Sequence, residues 1–187
     1  MNAKIIRAFA AAAILATAAH SPARAQTPPE IRQDTVKSDF EALGDYLGYW
    51  RSDEKTPQNG GRAFRFEYEL ATFDPAESIA KMTIRQVFAD GEKKLWWIGF
   101  KGWDPVEQET YYVAFSPLGR VSKGKFAQMG AAFITYYRAF DSQGQEVELR
   151  DVFSPVTDGE YANVTYLRAT GENEWRIVAR DTWRRVE

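Results

Sequence analysis

The sequence predicts an all-β protein, an antiparallel meander of about ten strands closed into a barrel and preceded by one short helix. Three observations carry that prediction. Apolar and charged residues alternate with period two across Phe64–Leu70 (FRFEYEL) and Ala80–Arg85 (AKMTIR), the mark of strands buried on one face. Turn signals recur at short, even spacing, from Asp90-Gly91 to Gly171-Glu172-Asn173, as they do between hairpin-connected strands. No helical segment separates consecutive strands, so the βαβ rhythm of a parallel sheet is missing.

The elements follow in order. Met1–Ala25 reads as a secretory signal peptide, with Lys4 and Arg7 in a positive start, an apolar core over Ala8–Ala19, and Ala23-Arg24-Ala25 as the cleavage site. That core is too short to span a hydrocarbon slab about 30 Å thick. No Cys follows it, so a lipid anchor is not expected. The protein is therefore expected in the periplasm or secreted, without stable membrane insertion. Residues 26–37, with Pro28-Pro29, read as a flexible N-terminal arm, and 38–187 as a single barrel domain. Ser38-Asp39-Phe40-Glu41 has the form of a capping box, and Phe40, Leu43 and Leu47 follow at helical spacing.

After Gly48 the period changes from helical to strand-like. The expected strands are Tyr49–Ser52, Phe64–Leu70, Ala80–Arg85, Lys94–Trp103, Thr110–Ser116, Val121–Phe126, Phe133–Phe140, Glu146–Phe153, Tyr161–Arg168 and Trp175–Arg184. A flat sheet of that size leaves two long edges open to pairing with other chains, whereas closure removes both. Eight to ten strands enclose a packed core or one small ligand, and a two-sheet sandwich is the competing architecture.

Composition excludes several chemistries. The 187 residues hold 24 Lys+Arg, 26 Asp+Glu, one His and no Cys. Cleavage after Ala25 removes Lys4, Arg7, Arg24 and the lone His20, leaving 21 basic against 26 acidic residues, a net charge of −5. An acidic chain of this kind is no partner for nucleic acid. Without His or Cys there is no Ser-His-Asp or Cys-His nucleophile, no zinc site of the usual kind and no disulfide. No metal and no other cofactor is expected.

Two segments carry a resemblance. Leu47-Gly48-Tyr49-Trp50-Arg51, between a short helix and the first strand, resembles the Gly-x-Trp start of calycins, the lipocalin and fatty-acid-binding superfamily. Gly99-Phe100-Lys101-Gly102-Trp103-Asp104-Pro105 followed by Tyr111-Tyr112-Val113-Ala114-Phe115 looks like bacterial exported lipocalin-like domains of unknown function. The resemblance implies that Trp50 plugs one barrel end beneath an Arg from the last strand, with Arg176, Arg180 or Arg184 in that part. It also implies a habit of binding small molecules. The related haem-binding barrels use a His ligand that the mature chain lacks, so haem binding is not carried over.

The expected activity is non-covalent binding of a small apolar or amphipathic molecule inside the barrel. Aromatic residues supply both the apolar lining and the polar handles of such sites. With the more apolar strand faces turned inward, the lining would be Phe66, Tyr68, Met82, Ile84, Trp96, Ile98 and Phe100. In the doubled pairs Trp96-Trp97, Tyr111-Tyr112 and Tyr136-Tyr137, one ring points in and the other out. Tyr137, Arg138, Asp151 and Asp181 are the polar candidates. Each of the two aspartates shares a strand face with apolar residues, and a buried carboxylate needs a partner or a proton. Either they meet and serve as acid and base, or each is paired with Arg138, Arg150 or Arg168. Two other functions compete: an enzyme built on Asp and Tyr groups, such as an isomerase, cyclase or hydrolase, and an interaction module using outward aromatics, Trp97 among them.

Overall fold

The computed structural model describes residues 27–29, 35–57, 61–73, 78–140 and 144–187. The leader expected at Met1–Ala25 lies outside the described residues. Ten antiparallel strands close into a barrel, each paired with its sequence neighbour and the first with the last. They are β1 (Gly48–Ser52), β2 (Phe64–Thr72), β3 (Ile79–Phe88), β4 (Lys93–Asp104), β5 (Glu109–Phe115), β6 (Val121–Met129), β7 (Ala132–Phe140), β8 (Glu146–Phe153), β9 (Glu160–Ala169) and β10 (Arg176–Arg185). Every expected strand is present, and closure rather than a sandwich satisfies the two edges.

The helix α1 (Lys37–Glu41) runs into a 3₁₀ turn over Ala42–Tyr46. Its start is not the expected Ser38 box. Val36 is the N-cap, and the Asp39 carboxylate accepts the Val36 N–H at 2.7 Å and the Gln128 N–H at 2.9 Å. Asp39 thus ties the helix to β6, and Ser38 is left exposed on the helix surface. The helical segment closes one barrel end. Phe40, Leu43 and Tyr46 join Trp50, Leu70, Phe126, Phe133, Tyr161 and Trp183 in one buried cluster. The Trp50 indole N–H donates to the Tyr46 carbonyl at 2.8 Å, and the Tyr46 hydroxyl donates to Ser154 O at 2.8 Å.

The arm is held where it is described. Pro28 is fully buried against the outer wall, and the Arg150 guanidinium donates to the Pro29 carbonyl at 2.7 Å. Arg150 also lies over the rings of Tyr136 and Trp175, so Thr27–Pro29 are pinned by a planar cation stacked on aromatics. Two glycines let the wall bend. A Cβ on Gly124 would run into the Tyr136 carbonyl, and one on Gly99 into the Val113 carbonyl, close approaches that only glycine permits.

Candidate functional site

Directly opposed residues on paired strands point to the same side of a sheet, so the register assigns every side chain to the interior or the outer wall. Trp50 opposes Tyr68, Tyr68 opposes Ile84, and Leu70 opposes Met82. Phe66, Tyr68, Met82 and Ile84 therefore face inward, as expected. On β4 the register shifts between Ile84 and Arg85, so that Trp97 opposes Ile84 while Leu95 opposes Arg85. Trp96 is the extra residue of a β-bulge, which breaks strict alternation. Trp96 contacts the inward Phe66 ring at 5.9 Å, and Trp97 packs on the core as well. Both indoles belong to the interior.

The bulge overturns two expectations. Beyond it, Gly99 and Lys101 point inward, and Ile98 and Phe100 lie on the outer wall. Phe100 opposes Lys81 and touches the exposed Phe73 ring. Arg138 is a third correction. Tyr137 opposes Gly124 on the inner face, so its chain neighbour Arg138 points out, where its half-exposed guanidinium pairs with Glu146.

The two ends of the interior differ. Near the helical plug the inward side chains are buried: Trp50, Phe126, Phe133, Tyr161 and Trp183 are all at most 7% exposed. A cavity of about 10 Å³ remains there, lined by Tyr46, Tyr68, Lys101, Phe133, Phe153 and Tyr161 among others, the room of roughly one water. Towards the other end, the inward residues Phe66, Ile84, Trp96, Trp97, Tyr137, Leu149 and Leu167 all stay only half-buried, while a second bulge, on β10, turns Ile177 outward to oppose Tyr166. Among the described residues the barrel is a cup, packed at its base and less tightly buried at its mouth.

Polar groups sit between mouth and base. Lys101 is 4% exposed. Its Nζ donates to Thr135 Oγ1 at 2.9 Å and lies 5.1–5.8 Å from the centroids of Phe133, Phe153, Phe126 and Tyr112. Burial pulls its pKa down to about 8, against the opposing pull of the Asp151 charge. Asp151 opposes Thr165, whose hydroxyl donates to Oδ1 at 2.6 Å, and Tyr137 also hydrogen-bonds to it. Desolvation is the largest influence on Asp151 and raises its pKa; the Thr165 and Tyr137 hydroxyls and the Lys101 charge oppose the rise, and Asp181 adds to it. Asp181 is ion-paired with Lys55. The expected arginine partners are all elsewhere: Arg138, Arg150 and Arg168 occupy the outer wall, facing Lys123, Tyr166 and Glu148 in the register. Burial also pushes the hydroxyls of Tyr68, Tyr112, Tyr137 and Tyr161 upward, so they remain neutral donors. Among the described residues no group of three or more His, Cys, Asp or Glu is arranged to hold a metal.

Of the expected site residues, Phe66, Tyr68, Met82, Ile84, Trp96, Tyr137, Asp151 and Asp181 share the interior. Lys101, Lys55, Tyr112, Tyr161 and Trp97 are interior groups that the alternation argument did not pick out. The one available signal was a mismatch within β4: Lys101 lies between Gly99 and Trp103 on one face, a charge amid small and aromatic residues.

With that geometry in view, comparison with known proteins adds a fold relationship. No family model matches the chain, and no curated protein does. Among solved structures the chain is similar to the crystal structure of Rv2717c from M. tuberculosis, at 16% identity and a TM-score of 0.54, covering 82% of this chain and 100% of that one. The likeness is one of fold. It fits a barrel domain able to hold a ligand, and it says nothing about which ligand.

Proposed function

We propose that this protein is an exported carrier that binds a small apolar or amphipathic molecule in the open half of its barrel. The observation that carries the reading is the mouth. Large inward rings (Phe66, Trp96, Trp97 and Tyr137) stay only half-buried, although folding ordinarily buries such area at about 25 cal/mol per Å². A concave apolar surface above a few convergent polar groups is the usual form of a ligand site. Export rests on the leader pattern of Met1–Ala25. The outer wall supports a protein that is not lipid-embedded, because it carries Arg51, Arg65, Glu67, Lys93, Lys123 and Arg138, where a membrane barrel presents an apolar band.

The test is native mass spectrometry of protein taken gently from the periplasm of its own host. A reproducible added mass of a few hundred daltons (a drug-sized ligand fills such a pocket), lost on denaturation, is the expected result. Bare protein that also leaves Trp fluorescence unchanged across a panel of apolar ligands would overturn it.

A second reading, catalysis by Asp151 with Lys101, is favoured by one observation. Burial shifts the two groups in opposite directions, and opposed shifts in one cleft are a common mark of acid–base pairs. It requires Asp151→Asn to abolish turnover of the captured molecule while leaving its binding intact. The interaction-module reading loses its named residue, since Trp97 faces the interior.

A further inference from the structure

The carrier reading leaves open the chemistry of the ligand's head group, and two features of the interior narrow it. One is charge. Among the described residues, the ionisable side chains of the interior below the rim, tyrosines aside, are two cations and two carboxylates. Lys55 is ion-paired with Asp181. Lys101 and Asp151 sense each other's charge across the polar layer. A proton passed between Lys101 and Asp151 leaves the sum at zero. Arg176 and Lys94 also lie on the inner face, but both are exposed at the rim; an ionic head group carried below them meets no uncompensated opposite charge, and its desolvation is not offset.

The other feature is a pair of donors. Asn163 and Trp183 are each 7% exposed and face inward, Asn163 opposing Asp181 and Trp183 opposing Tyr161. They are diagonal neighbours across β9 and β10. Among the described residues neither the Asn163 Nδ2 nor the Trp183 Nε1 has a hydrogen-bond partner. The Thr165 hydroxyl gives its one proton to Asp151 at 2.6 Å and only approaches the Asn163 carbonyl oxygen, at 3.4 Å, so the Asn163 amide is left with its Nδ2 donor to be matched by a ligand. The Trp183 ring lies between Tyr68, at 5.8 Å, and Tyr161, at 6.2 Å, and cannot turn away without disturbing the base. Buried donors with no acceptor are costly, and a ligand's acceptor oxygen supplies what each lacks.

From these we infer that the barrel selects an uncharged ligand, one that presents a carbonyl or hydroxyl oxygen to Asn163 and Trp183 with its apolar body towards Trp96 and Trp97. This rests on the carrier reading and deepens it. The test varies only the head group on one chain length: 2-decanone, 1-decanol, decanoate and decylammonium, titrated into the full mature protein by calorimetry.

The two neutral compounds should bind at least about tenfold more tightly than either ion. Asn163→Leu should weaken 2-decanone by about threefold to tenfold, the worth of one neutral hydrogen bond. The Trp183 indole N–H resonance, assigned with Trp183→Phe, should move on adding the ketone. Should Trp183→Phe fail to fold, Asn163→Leu and that resonance, assigned by through-space contacts to Tyr161, still decide the matter. Tighter binding of decanoate or decylammonium overturns the neutral-ligand inference and leaves the carrier standing. Binding of the ketone without any change at Asn163 or Trp183 overturns the donor assignment. Binding of none of the four overturns the carrier reading together with the inference.

Discussion

The guanidinium of Arg185 lies 4.4 Å from the ring centroid of Trp50 and donates to the carbonyls of Leu47, at 3.0 Å, and Asp45, at 2.9 Å. One side chain thus covers the plug indole and ties down the end of the 3₁₀ turn that closes the barrel. The resemblance implied such an arginine and nominated Arg176, Arg180 or Arg184. The residue is Arg185. It opposes Trp50 in the β1–β10 register, whereas Arg184, one position earlier, points to the outer wall and pairs with Asp53 and Glu160.

That difference predicts unequal costs for neighbouring substitutions. Arg185→Ala should lower unfolding free energy by about 1–2 kcal/mol, the sum expected of an exposed cation–π contact and charged hydrogen bonds to carbonyls. Arg184→Ala should cost under about 1 kcal/mol, because its partners are solvent-exposed ion pairs. Urea titration of both variants gives the comparison, and equal midpoints would argue against a locking role for Arg185.

Glu67 predicts an acid-sensitive element on the outer wall. Its side chain is 2% exposed and meets Lys93, Arg51 and Arg65, and the Tyr49 hydroxyl donates to it. Burial alone would raise its pKa, but the hydrogen bonds from Lys93 and Tyr49 and the charges of Lys93 and Arg51 outweigh burial and hold it below the usual value. A depressed carboxylate contributes stability above the unfolded pKa of about 4.3, and that contribution is lost as pH falls through the folded value. Glu67→Gln should therefore be less stable than wild type at pH 7, and the gap should shrink below about pH 4. Thermal melts from pH 3 to 7 provide the check.

Lys101 predicts the opposite limb. Its folded pKa of about 8 lies below its ordinary value of 10.5, so the unfolded chain binds more protons between those values. The group's contribution is fully present above the unfolded pKa and is lost as pH falls through the folded one. Wild type should then gain stability from pH 8 to 10.5 relative to Lys101→Met, by up to about 3 kcal/mol. Parallel curves for the two proteins over that range would show that Lys101 is not desolvated.

The mouth predicts a pattern of fluorescence quenching. Trp96, Trp97 and Trp103 are half-buried, while Trp50, Trp175 and Trp183 are at most 7% exposed. Acrylamide should quench wild type, and the double variant Trp96→Phe/Trp97→Phe should lose a large part of the quenchable fraction, with Trp103 supplying the remainder. A bound ligand should protect the same fraction in wild type. Unchanged quenching in the double variant would mean that the mouth is closed in solution.

Much of the fold was legible in the chain. Period-two alternation in FRFEYEL and AKMTIR, regular turn signals and the Gly-x-Trp start sufficed for the ten strands, their meander order and the plugged end. The candidate site was legible where alternation runs unbroken, as at Phe66, Tyr68, Met82, Ile84, Asp151 and Asp181. It failed at β4, where the bulge at Trp96 shifts the phase by one residue and turns Lys101 inward and Ile98 and Phe100 outward.

The division has a physical basis. Whether a segment is a strand depends on its own residues, because the pleat has a fixed period, and the order of a meander depends on short loops; both are written locally. A bulge is invisible to local pattern, since the extra residue is defined only against the partner strand. Partnerships between distant segments are likewise decided by closure. The Lys55–Asp181 pair, the approach of Lys101 to Asp151 and the choice of Arg185 over Arg184 each depend on strand register and tilt around the barrel. Tertiary structure alone set that register, and with it the chemistry of the interior.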